Sequence, residues 1–89
     1  MSNTVYPVLV LEKDDGSVYE CYSYRDLLGR IERIDIENAV YTAWDRERCL
    51  LKLAVQSGRD WLQVELTSQR LDPDHFELLK SRAVLERRL

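Results

Sequence analysis

Three residue types that often mark functional sites are scarce in this 89-residue chain, which has three glycines, two cysteines and one histidine. Each glycine lies in a predicted turn or helix, so the sequence has no glycine-rich loop to cradle a phosphate. His75 has no second histidine or cysteine at metal-ligand spacing, which favours an incidental residue at a helix start. The sequence therefore indicates neither a metal nor a cofactor.

Long apolar runs are also missing. The longest run, residues 8–11, is far too short for a membrane-spanning helix, and the first residues do not resemble a signal peptide. Cys21 and Cys49 are therefore expected to be reduced thiols in a cytoplasm, with a disulfide between them as the less favoured alternative. Both lie in predicted strands, where a thiol acts as a small apolar group.

The composition is that of one globular domain over residues 1–89, since 45% of the residues are hydrophobic and 33% are charged. The net charge of -3 argues against a dedicated nucleic-acid binder. Arg25, Arg30 and Arg33, with the basic residues of the last helix, leave RNA binding as a weak alternative. A domain of this size has a small core, so self-association would help to stabilise it.

The order of predicted elements is ββαβββα. Residues 5–12 and 17–22 form a hairpin, a helix begins after the cap residue Ser23, three strands lie within residues 38–67, and a final helix begins after Asp72. This order predicts an α+β domain with a largely antiparallel sheet and the two helices packed on one face. The first strand is apolar on both faces, so both should be at least partly covered.

The three strands within residues 38–67 can be aligned by their patterns. Turns at 46–48 and 57–60 give one face whose rows are all apolar or aromatic: Ala43 with Leu51 and Leu66, Tyr41 with Leu53 and Val64, and Ala39 with Val55 and Leu62. A slip of one residue would move each strand's apolar set to the other face. The same register places Lys52 opposite Glu65 on the outer face.

Two apolar surfaces are left over by this arrangement. The outer sheet face carries Val40, Trp44, Leu50, Ala54 and Trp61, and the last helix carries Leu78 and Leu85 opposite its core-facing stripe. Contiguous apolar patches with aromatic anchors are typical of interaction sites. We therefore predict a non-catalytic protein-interaction, accessory or inhibitor-type domain that binds itself, as a homodimer, or a protein partner.

The main alternative is a small enzyme or ligand-binding domain. Asp35 and Glu37 share one side if their segment is extended, and paired carboxylates can act as acid and base. They lie outside the predicted strand core, where acids are usually solvated, which favours strand entry over catalysis.

Overall fold

A computed structural model describes residues 4–88, with the side chains of residues 4–83. Its elements are β1 (Val8–Glu12), β2 (Val18–Cys21), α1 (Tyr24–Arg30), α2 (Arg33–Glu37), β3 (Tyr41–Trp44), β4 (Cys49–Val55), β5 (Leu62–Arg70) and α3 (Pro73–Arg88). The five strands form one antiparallel sheet in the order β2-β1-β3-β4-β5. The α+β class and the predicted order are confirmed, with one additional helix. Within residues 4–88 there is no helix long and apolar enough to cross a membrane.

The additional helix arises because the first predicted helix is interrupted. Ser23 caps α1, since its Oγ accepts the Asp26 backbone N–H at 3.1 Å. Ile31 then takes an extended conformation, with φ -100° and ψ 138°, and ends α1. This break turns Ile31 into the core, whereas Ile34 on α2 is 61% exposed. The sequence spacing of Leu27, Leu28, Ile31 and Ile34 predicts one apolar face of a single helix, and this prediction is wrong for Ile34.

The predicted register holds for β4 and β5 and in part for β3. Ala43 lies opposite Leu51, which lies opposite Leu66 on its other side. The next rows of β4 and β5 also match: Leu53 pairs with Val64, Val55 with Leu62, and Lys52 with Glu65. In the row of Ala39, Val55 and Leu62 only the place of Ala39 is wrong, because Ala39 has a left-handed φ of 54° in a turn before β3.

The helices cover both faces of the sheet, so the prediction that they pack on one face is wrong. Val8, Val10 and Cys21 face the side of α1 and α2, together with Leu27 of α1. The alternate residues of β1 and β2 face α3, whose contribution to that core is Phe76, Leu79 and Ala83. The physical reason is the first strand itself, which is apolar on both faces and needs cover on both.

The last helix lies mainly over β1 and β2. It begins as predicted, since Asp72 Oδ2 accepts the His75 backbone N–H at 3.1 Å. Further along, the guanidinium of Arg82 donates a hydrogen bond to the carbonyl of Gly16 and fastens α3 to the β1–β2 turn. The side chains under α3 include Trp44 of β3 and Leu50 at the start of β4, and the rest of β4 and the regular stretch of β5 lie beyond this cover.

Candidate interaction surface

The outer sheet face predicted as an apolar patch is divided by α3. Trp44 is only 8% exposed and packs with Phe76 and Leu79, so this face is not open at Trp44 as expected. Leu50 is partly buried against the same cluster, and Val40 is 9% exposed at the entry to β3. These three residues offer little surface to a partner because the chain covers them itself.

The remaining candidates on the sheet do not form a patch either. Ala54 is partly buried and lies opposite Gln63 on the half of the face that α3 leaves open, beside the polar Lys52. Trp61 belongs to the opposite side, where it packs against the core under α1 and α2. The Arg33 guanidinium lies 5.6 Å from the centroid of its ring, so one ring face is already used by a cation–π contact.

The candidates on the last helix have different outcomes. Leu78 is 61% exposed, as the second apolar stripe predicted. Leu85 belongs to α3, but its side chain lies outside the described residues. The stripe is therefore represented by one exposed leucine in the part of the helix whose side chains are described.

The carboxylates proposed for the enzyme alternative are separated by their helix. Asp35 and Glu37 lie on α2 rather than on an extended segment, and residues two apart on a helix do not face each other. Asp35 instead accepts a hydrogen bond from the Tyr41 hydroxyl at 3.2 Å. Burial and this bond raise the pKa of Tyr41. The predicted carboxylate pair is thus not present as a pair.

His75, Cys21 and Cys49 lie in the helix and strands that the sequence predicts for them. His75 is exposed on the first turn of α3, and no cluster of potential metal ligands occurs among the described residues. Cys21 and Cys49 are free thiols. Cys21 is fully buried, and burial raises its thiol pKa to about 12, so the reactive thiolate is disfavoured at neutral pH.

One buried acid was missed by sequence reasoning. Asp45 is 1% exposed, although its position at the end of a predicted strand, where acids are usually solvated, predicts an exposed side chain. Its Oδ1 accepts the backbone N–H groups of Glu47 at 2.9 Å and Cys49 at 3.0 Å, and its Oδ2 accepts that of Val5 at 3.4 Å. Asp45 therefore shapes the β3–β4 turn and holds the segment before β1 against it, which is a structural role.

The outer edge of β5 is the most distinctive open feature. The Gln56 backbone N–H donates to the Trp61 carbonyl at 2.7 Å, so in the antiparallel ladder Gln63 and Glu65 also bond to β4. The residues between them must then direct their backbone groups away from the sheet. Leu62 confirms this alternation, because its carbonyl accepts the Tyr24 hydroxyl of α1 at 2.5 Å.

Val64 and Leu66 therefore present N–H and C=O groups at an edge that no helix within residues 4–88 covers. The regular stretch ends after Leu66, since the pairing shifts between Cys49 and Leu51, opposite the second half of β5. Natural edge strands are usually blunted by lysine, proline or a bulge. Residues 62–66 contain neither lysine nor proline, and the bulge lies beyond them.

An open trough of about 920 Å³ runs beside this edge on the α1 side of the sheet. Leu62, Val64 and Leu66 lie along it, and Tyr6 and Tyr24 contribute to its wall. Leu66 is 37% exposed, whereas Leu62 and Val64 are buried. Burial raises the pKa of both tyrosines, so their hydroxyls are neutral hydrogen-bonding groups at physiological pH. The trough thus combines an apolar floor with polar groups at its wall.

No protein-family model matches this chain, and neither a curated protein nor a solved structure is significantly similar to it.

Proposed function

We propose that this chain is a non-catalytic protein-interaction domain whose binding element is the outer edge of β5. The observation that carries the proposal is the outward direction of the backbone groups of Val64 and Leu66. An extended segment beside such an edge gains main-chain hydrogen bonds, and the neighbouring side chains supply selectivity. The trough beside β5 provides those side-chain contacts.

The homodimer expected from the sequence is one form of this proposal. The β5 strand of a second copy is itself an extended segment and could pair with the first in an antiparallel manner. Pairing centred on Val64 would place Gln63 of one copy opposite Glu65 of the other. The support is limited to the short regular stretch of residues 62–66, so such a dimer would be weak in the absence of further contacts.

A reducing, cytoplasmic location is proposed on separate grounds. The support is that both cysteines are free thiols and that Cys21 is buried. Titration of the purified protein with a thiol reagent under denaturing conditions, after extraction with rapid alkylation, would count the thiols that were reduced in the cell. We expect two.

The experiment for strand addition selects peptides from a random ten-residue library displayed on phage. Selected peptides are measured against the wild type, Leu66→Pro and Leu66→Ala. Proline removes the outward N–H of residue 66 without removing a ladder bond, whereas alanine removes only the side chain. We expect Leu66→Pro to bind about tenfold more weakly than Leu66→Ala, as the loss of a main-chain bond and of edge access implies.

Two results would contradict the proposal. One is a selection that enriches no peptide, and the other is a set of peptides that bind Leu66→Pro as tightly as the wild type. Circular dichroism of each variant confirms that the fold is retained before binding is compared. Light scattering on the same samples tests the dimer, which Leu66→Pro should dissociate if β5 is the contact.

A further inference from the structure

Glu65 gives the β5 edge a charge preference. Odd-numbered residues of the regular stretch face the side of the sheet that α3 occupies, but α3 lies over β1 and β2 and does not cover β5. Glu65 is exposed there, and its Oε1 accepts a hydrogen bond from the Gln63 amide at 2.6 Å. Its ladder neighbour Lys52 forms no ion pair with it within the described residues.

The trough lies on the other side of the same edge and has an apolar floor. Asp60 and Glu65 are the charged residues among its described lining, but the Glu65 side chain faces the α3 side, which leaves Asp60 as the acid of the trough side. Asp60 has a cationic neighbour, Arg25, at 3.8 Å, but both side chains are more than half exposed and this pair is weak. An added strand would therefore meet an apolar floor on one face and the carboxylate of Glu65 on the other.

We propose that the occupant of the β5 edge is an extended segment of a partner protein in which apolar residues alternate with lysine or arginine. The segment's apolar side chains lie beside Val64 and Leu66 over the trough, and a cation lies opposite Glu65 on the other face. Directly opposed side chains in neighbouring antiparallel strands approach to about 5 Å, so a cation in that position can pair with Glu65. This inference rests on the proposed function.

A second copy of the chain fits this edge less well. Residues 62–66 contain no lysine or arginine, so the regular stretch of another β5 cannot place a cation opposite Glu65. Pairing that sets Glu65 against Glu65 would bring two like charges together, which destabilises a strand pair. A foreign basic segment avoids both problems.

The test uses three synthetic seven-residue peptides with valine at the second, fourth and sixth positions and identical end residues. They differ only in the two residues between the valines, which are both lysine, both glutamine or both glutamate. Fluorescence anisotropy measures each affinity at low salt. We expect the lysine peptide to bind about threefold more tightly than the glutamine peptide and about tenfold more tightly than the glutamate peptide. These differences should shrink at about 0.5 M salt because the charges are exposed.

Glu65→Gln should bring the three affinities to within about twofold of one another, whereas the matched variant Glu77→Gln on α3 should leave the differences intact.

Three equal affinities for the wild type would overturn the charge preference and leave strand addition standing, provided that Leu66→Pro weakens all three. If none binds but phage-selected peptides do, the alternating pattern is wrong. If no peptide of either origin binds, strand addition fails too. A β5 dimer that the lysine peptide does not dissociate would identify a second copy as the occupant.

Discussion

The two edges of the sheet are built differently. At one edge, β2 has four residues, lies under α3 and α1, and buries Val18 and Cys21 almost completely. At the other edge, β5 has nine residues, of which 62–66 pair regularly with β4, and the Tyr24 hydroxyl donates to the carbonyl of Leu62. A short edge strand with helices packed against both of its faces offers few positions for pairing, whereas a regular open edge is a template for it. The comparison indicates that α3 packs at the β2 side of the sheet and that the outer edge of β5 stays available.

The largest expected effect on the free energy of unfolding comes from the face of the sheet that α3 covers. Trp44→Glu places a charge under α3 and removes a large packed side chain, so we expect a loss of about 4 kcal/mol or more in the free energy of unfolding. Leu78→Glu, at an exposed position of α3, should change it by less than about 0.5 kcal/mol. Urea titration measures both. A stable Trp44→Glu protein would mean that α3 does not cover this face.

The next largest effect tests the β3–β4 turn, which Asp45 shapes. Asp45→Ala leaves three backbone N–H groups without their acceptor, and we expect it to cost about 3 kcal/mol, as for other hydrogen bonds to a buried charge. Asp14→Ala, at an exposed turn residue, is the matched control and should be almost neutral. If the two variants unfold at the same urea concentration, Asp45 does not organise the turn.

A smaller effect tests β2 at alkaline pH, where the partly buried tyrosines elsewhere in the protein also ionise. Burial raises the pKa of Cys21 from 9.0 to about 12, and the hydrogen bond to Glu12 is the main cause that raises the pKa of Tyr19 from 10.0 to about 12. Both groups lie in β2. Because each folded-state pKa exceeds its unfolded value, their contribution is complete below pH 9 and is lost as pH rises towards 12.

We therefore expect the melting temperature to fall from about pH 9 upward, and Cys21→Ala to reduce the slope between about pH 9 and 12. Cys49→Ala is the matched control, since that thiol is only partly buried. Scanning calorimetry across this range measures the slopes. An unchanged slope in Cys21→Ala would show that the β2 edge does not exclude water from this thiol.

Sequence reasoning succeeded where a strand's own alternation carries the information. The pattern of residues 51–66 set the pairing of β4 with β5 correctly, because one face is buried and a slip would invert it. The shift that pairs Cys49 with Arg70 was not predicted, and the predicted row of Leu50 with Thr67 is wrong. The extra helix was missed because the break at Ile31 depends on tertiary packing. The apolar residues on both faces of β1 indicated that each face is packed against another element, but no local sequence pattern indicated which helix packs on which face.

The errors at the candidate site have the same origin. Trp44 looked exposed because the helices were assigned to one face, and α3 in fact lies over it. Asp45 looked solvated because the three N–H groups that satisfy its carboxylate are brought together only by the folded turn and the N-terminal segment. The β5 edge could not be found from the sequence, because strand order decides which strand is outermost.

The openness of the β5 edge can be measured by amide hydrogen exchange, followed residue by residue by NMR at a concentration where light scattering reports a monomer. The alternation predicts slow exchange at Gln63 and Glu65, whose N–H groups bond to β4, and fast exchange at Val64 and Leu66, whose N–H groups face solvent. Equal protection of all four amides in the monomer would contradict the account, because it would show that the β5 edge is already covered.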